Sequence, residues 1–173
     1  MICSINHIGD GELAKEFDGG SFATLYLSPK DYHRIHTPCS GTIVRTIYEP
    51  GTLWPVNEGA VANVPQLFAV NERVTTIIET TRGLVACCMV GATNVGSMRL
   101  AYRDLVTNCG RVREDIREAG PIAVERGDHL ATFELGSTVV LLAADAGWQF
   151  TGLESGRWEP MGRAICTLRA ESV

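Results

Sequence analysis

Four histidines occur in the chain, at positions 7, 33, 36 and 129. His33 and His36 lie three apart in the run Asp31-Tyr32-His33-Arg34-Ile35-His36-Thr37-Pro38. An imidazole changes charge near neutral pH and can take or give a proton in a reaction. Two of them beside an Asp, a Tyr and an Arg are costly to bury without a task, although an isolated histidine is usually a satisfied structural residue. A pair at this spacing can share a metal ion. No third ligand declares itself and the H-E-x-x-H pattern is absent, so no metal is expected. A second group is Phe133-Glu134-Leu135-Gly136-Ser137-Thr138-Val139-Val140. Its serine follows a glycine at the start of an apolar run and reads either as a nucleophile or as a turn residue. It is not the G-x-S-x-G elbow, because Leu135 and Val139 stand where that motif needs glycine. A third run, Val90-Gly91-Ala92-Thr93-Asn94-Val95-Gly96-Ser97-Met98, has small residues that let backbones approach closely. It lacks the strand-turn-helix context of a dinucleotide-binding loop. The six cysteines (Cys3, Cys39, Cys87, Cys88, Cys109 and Cys166) contain no C-x-x-C pair and read as reduced thiols.

The elements that must hold these residues come from a chain of 173 residues and 18.7 kDa, the size of a single domain spanning 1–173. Hydrophobic residues at 45% and charged residues at 20% give ordinary globular composition. The net charge of −5 argues against nucleic acid as a partner, since such binding draws on excess positive charge. No apolar stretch is long enough for a membrane-spanning helix. The N-terminus lacks the basic start and apolar core of a secretion signal, so a cytoplasmic chain is expected. Glycine turns followed by strands echo the halves of a lipoyl or biotin carrier. Such carriers present a modified lysine at a hairpin tip, and Lys15 and Lys30, the only lysines, both precede the strands that would form it.

Residues 10–18 read as a short helix that Asp10 caps and Gly19-Gly20 ends. Strands are expected at 21–27, 41–48, 72–80, 84–90, 129–133, 137–143, 148–151 and 163–168. The run 72–80 alternates and turns at Arg82-Gly83 into the continuously apolar 84–90, which predicts a hairpin whose second strand is buried on both faces. The strands at 129–133 and 137–143 flank a turn at Leu135-Gly136. Thr107 to Glu125 is charged and broken by Gly110, Gly120 and Pro121. It reads as a solvated surface connection with a helical turn at 112–118. The expected fold class is mainly β with a minor α+β character: an antiparallel, β-sandwich-like domain with few short helices.

Several of these runs, taken in order, resemble the phosphatidylserine decarboxylase family. The resemblance is carried by Ser21-Phe22 through Tyr26-Leu27-Ser28-Pro29-Lys30-Asp31-Tyr32-His33-Arg34-Ile35-His36-Thr37-Pro38, then Gly41, Tyr48, Pro50-Gly51 and Val56-Asn57. It continues in Leu67-Phe68-Ala69-Val70-Asn71-Glu72-Arg73-Val74, in Val90 to Ser97, and in Leu135-Gly136-Ser137-Thr138, which is similar to the family's processing motif. It extends from about residue 13 to near residue 168. Such proenzymes cut themselves between the Gly and the Ser of that motif. The resemblance therefore implies cleavage between Gly136 and Ser137. The Ser137 hydroxyl would attack the Gly136 carbonyl, and β-elimination and hydrolysis would leave a pyruvoyl group as a self-made cofactor. His36 matches the family's base for that step and His33 its candidate proton donor near the substrate. The pyruvoyl carbonyl would condense with the substrate amine and take up the electrons left when carbon dioxide departs. Phosphatidylserine, or another amino-acid-derived molecule, is the implied substrate and phosphatidylethanolamine the implied product. Membrane contact would be peripheral, and a homo-oligomer stays open.

Three departures accompany the resemblance. The family's Asp, in a Pro-Ala-Asp-Gly-like run, orients the base; Asp10-Gly11 is the nearest echo here. His129 and Ala131 stand where an acidic residue and a glycine are usual. The membrane-associating N-terminal segment has no counterpart. The expectation is thus a chain lacking the family's N-terminal part. Two alternatives remain beside the decarboxylase: an uncleaved, non-catalytic relative that binds lipid or a partner, and a Ser-His hydrolase built on Ser137 and His36.

Overall fold

The computed structural model describes residues 11–93, 97–110, 112–134, 137–145 and 147–168. The first helix, α1 (Gly11–Lys15), buries Leu13 and Ala14. It unwinds through turns to Gly19, whose φ of +75° is cheap only for glycine. Gly20 then lets the chain pass against the Ala143 carbonyl, where a Cβ would collide. Seven strands follow the expected positions closely: β1 (Ser21–Leu27), β3 (Gly41–Glu49), β4 (Arg73–Thr80), β5 (Gly83–Val90), β8 (His129–Phe133), β9 (Ser137–Ala143) and β10 (Trp148–Phe150); β11 (Cys166–Leu168) forms only the last half of the strand expected at 163–168. The remaining elements are β2 (Arg34–His36), β6 (Met98–Leu100), β7 (Glu114–Val124), α2 (Glu58–Asn63) and α3 (Leu67–Val70).

The strands form three antiparallel sheets. The largest has the order β1-β9-β5-β4-β3-β7, a second pairs β2-β8-β6, and β10 pairs with β11. The fold class is mainly antiparallel β with three short helices, as expected from the sequence. The β4–β5 hairpin forms in the expected register, with Thr80 opposite Gly83 and Arg73 opposite Val90. Cys87, Cys88, Met89 and Val90 of β5 are wholly buried, so both faces of that strand are covered. The alternation of β4 suggested a polar outer face, yet Thr75 and Thr76 are buried too. The Cys88 thiol pairs with the Thr75 side chain, and Tyr102, just after β6, serves Thr76. The Tyr102 hydroxyl lies 2.8 Å from the Thr76 hydroxyl and 2.9 Å from that of Thr46, so the polar groups pair within the interior. Burial pushes the Tyr102 phenol up to about 12.

One sequence expectation is corrected here. The 107–125 segment is not a solvated connection with a helical turn, because 114–124 form β7, an edge strand on β3. Ile43 faces Ile122 while Arg45 faces Arg117, so residues 118–121 bulge out opposite Val44. Gly120 and Pro121 mark that bulge rather than the end of the strand. The charges serve the edge: Arg45 reaches Asp115 at 2.6 Å, and Arg113 reaches Glu49 at 3.2 Å. The two strands expected around Leu135-Gly136 form, and they lie in different sheets: β8 belongs to the three-stranded sheet and β9 to the six-stranded one. The chain thus changes sheets across Leu135-Gly136, two residues that lie outside the described ones.

Candidate active site

Two turns hold the histidine segment. Ser28 donates its backbone N–H to the Asp31 carboxylate at 2.8 Å, and Asp31 returns one to the Ser28 carbonyl at 2.8 Å. This closes the loop after β1 and delivers Tyr32 and His33 to the start of β2. At its other end, β2 runs into Thr37, which clamps the 125–128 turn. Asp128 accepts the Thr37 N–H at 2.9 Å, Thr37 accepts the Gly127 N–H at 2.9 Å, and the Thr37 hydroxyl donates to the Glu125 carbonyl. Gly127 has a φ of +95°, which a side chain would strain.

That clamp aims the Gly127 carbonyl at His36. The carbonyl oxygen lies 2.7 Å from Nδ1 of His36. A carbonyl only accepts, so Nδ1 carries the proton. In the neutral ring Nε2 then holds the lone pair, and the Tyr32 hydroxyl sits 2.8 Å from it. The Tyr32 and His36 rings are nearly parallel, 14° apart with centroids 5.7 Å apart. On β8, a register shift beside Ile35 sets His36 opposite His129, with ring centroids 5.9 Å apart and tilted by 45°. His129 Nε2 lies 2.9 Å from the Thr132 hydroxyl and 3.0 Å from the Ala131 carbonyl.

His33 is tied through its backbone to the end of β8. Its carbonyl accepts the N–H of Phe133 at 3.0 Å. Its Nε2 is buried and has no hydrogen-bond partner among the described residues. The next residue, Glu134, donates its N–H to the Ser97 carbonyl at 3.1 Å. This ties the small-residue run at 90–98 to the same place, although Asn94 to Gly96 lie outside the described residues. Ser137 opens β9 directly opposite Leu27, the last residue of β1. Thr138 beside it is buried, and its hydroxyl has no partner among the described residues.

The fold therefore gathers the ends of β1, β8 and β9 with the loop that carries His33. Gly136, the other half of the expected cleavage site, lies outside the described residues. His36 sits farther along the same β2–β8 pairing, and its ring contacts are Tyr32, Gly127 and His129. Sequence reasoning singled out His33, His36 and Ser137 but missed the Gly127 carbonyl. Backbone oxygens leave no residue-type signal; only the Arg126-Gly127-Asp128 turn hinted that something was placed there.

The buried Nε2 of His33, without a partner among the described residues, belongs to the segment that anchors Phe133, four residues before Ser137. Among the described residues no cluster of three or more His, Cys, Asp or Glu side chains could hold a metal ion, and no helix is long and apolar enough to cross a membrane.

Comparison with known proteins follows the same lines. Residues 4–167 match the family model described as phosphatidylserine decarboxylase. The chain is 47% identical over 135 residues to the phosphatidylserine decarboxylase proenzyme of Myxococcus xanthus, covering 78% of this chain and 48% of that protein. It is 46% identical over 147 residues to that of Delftia acidovorans, covering 83% and 52%. With that of Albidiferax ferrireducens it shares 46% over 159 residues, covering 91% and 54%. The chain spans about half the length of these curated relatives.

Proposed function

The chain belongs to the phosphatidylserine decarboxylase family, and we propose that it is part or all of a proenzyme that cuts itself between Gly136 and Ser137 and decarboxylates phosphatidylserine. The observation that carries this reading is where Ser137 stands: it opens β9 opposite Leu27, beside the loop whose His33 carbonyl accepts the Phe133 N–H and whose buried His33 Nε2 has no partner among the described residues.

In the cut, the Ser137 oxygen bonds to the Gly136 carbonyl carbon and the peptide C–N bond breaks, leaving an ester and a free amine. His36 takes the hydroxyl proton and returns one to that amine. Loss of the Ser137 α-proton then breaks the Cβ–O bond and releases residues 1–136 with a carboxylate end. Water converts the remaining enamine to a pyruvoyl group and ammonia. The pyruvoyl group supplies a carbonyl electron sink for the electron pair left when carbon dioxide departs. His33 would hold the substrate's reacting end and move a proton at Nε2, which no other described group engages. The substrate is a bilayer lipid, so we place the protein in the cytoplasm, in peripheral contact with the membrane surface.

The test is the intact mass of the purified protein, with and without a carbonyl-reactive hydrazine. A C-terminal piece of residues 137–173 whose mass shifts with hydrazine supports the pyruvoyl enzyme. A single uncut chain favours the non-catalytic relative. One observation points that way: the phenol of Tyr32 already occupies the His36 lone pair. Labelling of intact Ser137 by a fluorophosphonate would indicate a Ser-His hydrolase instead, since a pyruvoyl group offers no hydroxyl.

A further inference from the structure

We propose that Glu72 takes the proton from the substrate's ammonium group, freeing the amine to bond to the carbonyl made from Ser137. This rests on the reading of Ser137 as the source of that carbonyl. Buried polar atoms in folded proteins are almost always hydrogen-bonded, so an exception calls for a reason. Among the described residues five buried side-chain atoms have no hydrogen-bond partner: His33 Nε2, Glu72 Oε2, Arg103 Nε, Thr138 Oγ1 and Glu159 Oε1. Arg103 and Glu159 are nonetheless ion-paired, with Glu118 and with Arg157 and Arg163. The other three collect where β9 begins. Thr138 follows Ser137, His33 lies on the segment that holds Phe133, and Glu72 stands in the same row of the sheet as Ser137.

The register sets that row. Leu25, Val139, Met89, Val74 and Tyr48 pair in turn across β1, β9, β5, β4 and β3, and so share one face. Two residues further on, the positions of the same row are 27, 137, 91 and 72. Leu27 pairs with Ser137, and the Gly91 N–H donates to the Glu72 carbonyl at 2.8 Å. Gly91 puts no side chain between the other two. Two strand spacings, about 10 Å, separate positions 137 and 72, a span that the Glu72 side chain and the amino-acid end of a substrate bridge together.

Glu72 is only 4% exposed. Its Oε1 accepts from the Tyr48 hydroxyl at 2.8 Å and from the Asn108 N–H at 2.8 Å. Tyr48 stands on β3, the side away from β9, so Oε1 is engaged there and Oε2 is left over. No cation pairs with this carboxylate among the described residues; Arg73, next in sequence, pairs with Glu49 on the other face. A buried carboxylate with neither an ion pair nor full hydrogen bonding is costly, and proteins keep such costs where function uses them. Of the three unpartnered groups only Glu72 brings a negative charge, the partner that an ammonium group needs on leaving water. An ammonium nitrogen has no lone pair with which to attack. One proton passes to Glu72 Oε2, and the neutral amine bonds to the carbonyl carbon. The carbonyl oxygen then leaves as water, with that proton and one more from the nitrogen.

The experiment compares Glu72→Gln with the parent chain in three readouts. Intact mass reports cutting, urea midpoints report stability, and mass gain of the 137–173 piece reports capture of an amine. Two amines are used: O-phospho-L-serine, trapped with cyanoborohydride, and methoxyamine, which is already neutral at pH 7. Glutamine keeps an oxygen for Tyr48 and Asn108, so the variant should cut as the parent does, with an equal or higher urea midpoint. It should capture methoxyamine at the parent's rate. It should capture phosphoserine about a hundredfold more slowly at pH 7, the weight of one proton-transfer group. That gap should close by about tenfold per pH unit as the pH rises and the free amine becomes available without help. Phosphoserine captured at the parent's rate would overturn the proposal. So would equal slowing for both amines, or a gap that ignores pH, since either makes Glu72 a shape-giving residue. A variant that fails to fold or to cut would make it a structural or processing residue and overturn the proposal too. A parent chain that never cuts removes the decarboxylase reading and the proposal with it, whereas a parent that cuts and an unaffected variant remove the proposal alone.

Discussion

Replacing Asn71 should destabilise the fold by far more than its size suggests. The side chain is fully buried, with 0% exposure. Its Oδ1 accepts from the Thr52 hydroxyl at 3.0 Å and from the Trp54 N–H at 3.0 Å. Its Nδ2 donates to the Trp54 carbonyl at 2.9 Å and to the Gly91 carbonyl at 2.9 Å. Every donor and lone pair of the amide is therefore used. Asn71→Ala leaves the buried Gly91 carbonyl unpartnered, at about 1–3 kcal/mol, and two partly accessible Trp54 groups at roughly half that each, or about 2–6 kcal/mol together. Asn71→Asp separates hydrogen bonding from packing. It keeps the shape but aims a second acceptor at two carbonyls, so it should cost at least as much at neutral pH. Urea unfolding measures both, with the slope unchanged if only stability moves. A loss below about 1 kcal/mol for either variant would refute the accounting.

Ser137→Ala should give one uncut chain and no decarboxylase activity, and normal carbon dioxide release from it would end the pyruvoyl reading. His36→Ala should keep the fold and abolish cutting; efficient cutting would remove His36 as the base. With iodoacetamide at pH 8, the exposed Cys109 should react in the native protein. Cys39, Cys87 and Cys88, buried and with thiols pushed up by burial, should react only on unfolding; peptide mapping that finds them alkylated natively would contradict their placement. The same thiols set an alkaline limit. Cys39 is raised from 9.0 to about 11, so the folded state keeps a proton that the unfolded chain releases first. The stabilisation is complete below pH 9 and declines toward pH 11 by up to about 1.4 kcal/mol per pH unit for each such thiol; urea midpoints that do not fall from pH 8.5 to 10.5 would refute it.

Much of the fold was legible because it rests on local patterns. The apolar run from Val85 to Val90 lies buried in the middle of a sheet, and Arg82-Gly83 turns the hairpin, with Gly83 at a φ of +90°. β7 was hidden because Gly120-Pro121 interrupts its period of two, and a bulge and a loop share that signal. The alternation of Ile116, Ile122 and Val124 was present, but only pairing with β3 gives it meaning. α2 and α3 are too short for a helical period to register. α2 is set by Asn57, whose side chain accepts the Ala60 N–H at 2.9 Å, and α3 follows Gln66 in the left-handed region. At the site, residue types announced His33, His36 and Ser137. What surrounds His36 did not show, since it combines a backbone carbonyl from 91 residues away with a ring brought across β8 by a register shift.

The change of sheet at Leu135-Gly136 has a consequence for the cut itself. A break between Gly136 and Ser137 severs a crossover between two sheets and no ladder within either. β8 keeps β2 and β6, and β9 keeps β1 on one side and β5 on the other. β9 is an interior strand, paired from Ser137 to Ala143 with β1 and from Thr138 to Ala143 with β5. Its Val139, Val140, Leu141 and Leu142 side chains are buried, each worth roughly 1.5–3 kcal/mol against exposure to water. The piece that carries the new group is therefore held as part of the core. Its first residue stays opposite Leu27, at the entry to the loop that bears His33 and leads into β2. The expected outcome is that residues 1–136 and 137–173 elute as one species in native buffer and separate only in denaturant. Separation in native buffer would mean that cleavage dismantles the sheet. The histidines and the new carbonyl would then part company, and the geometry described here could serve the cut but not the decarboxylation that follows it.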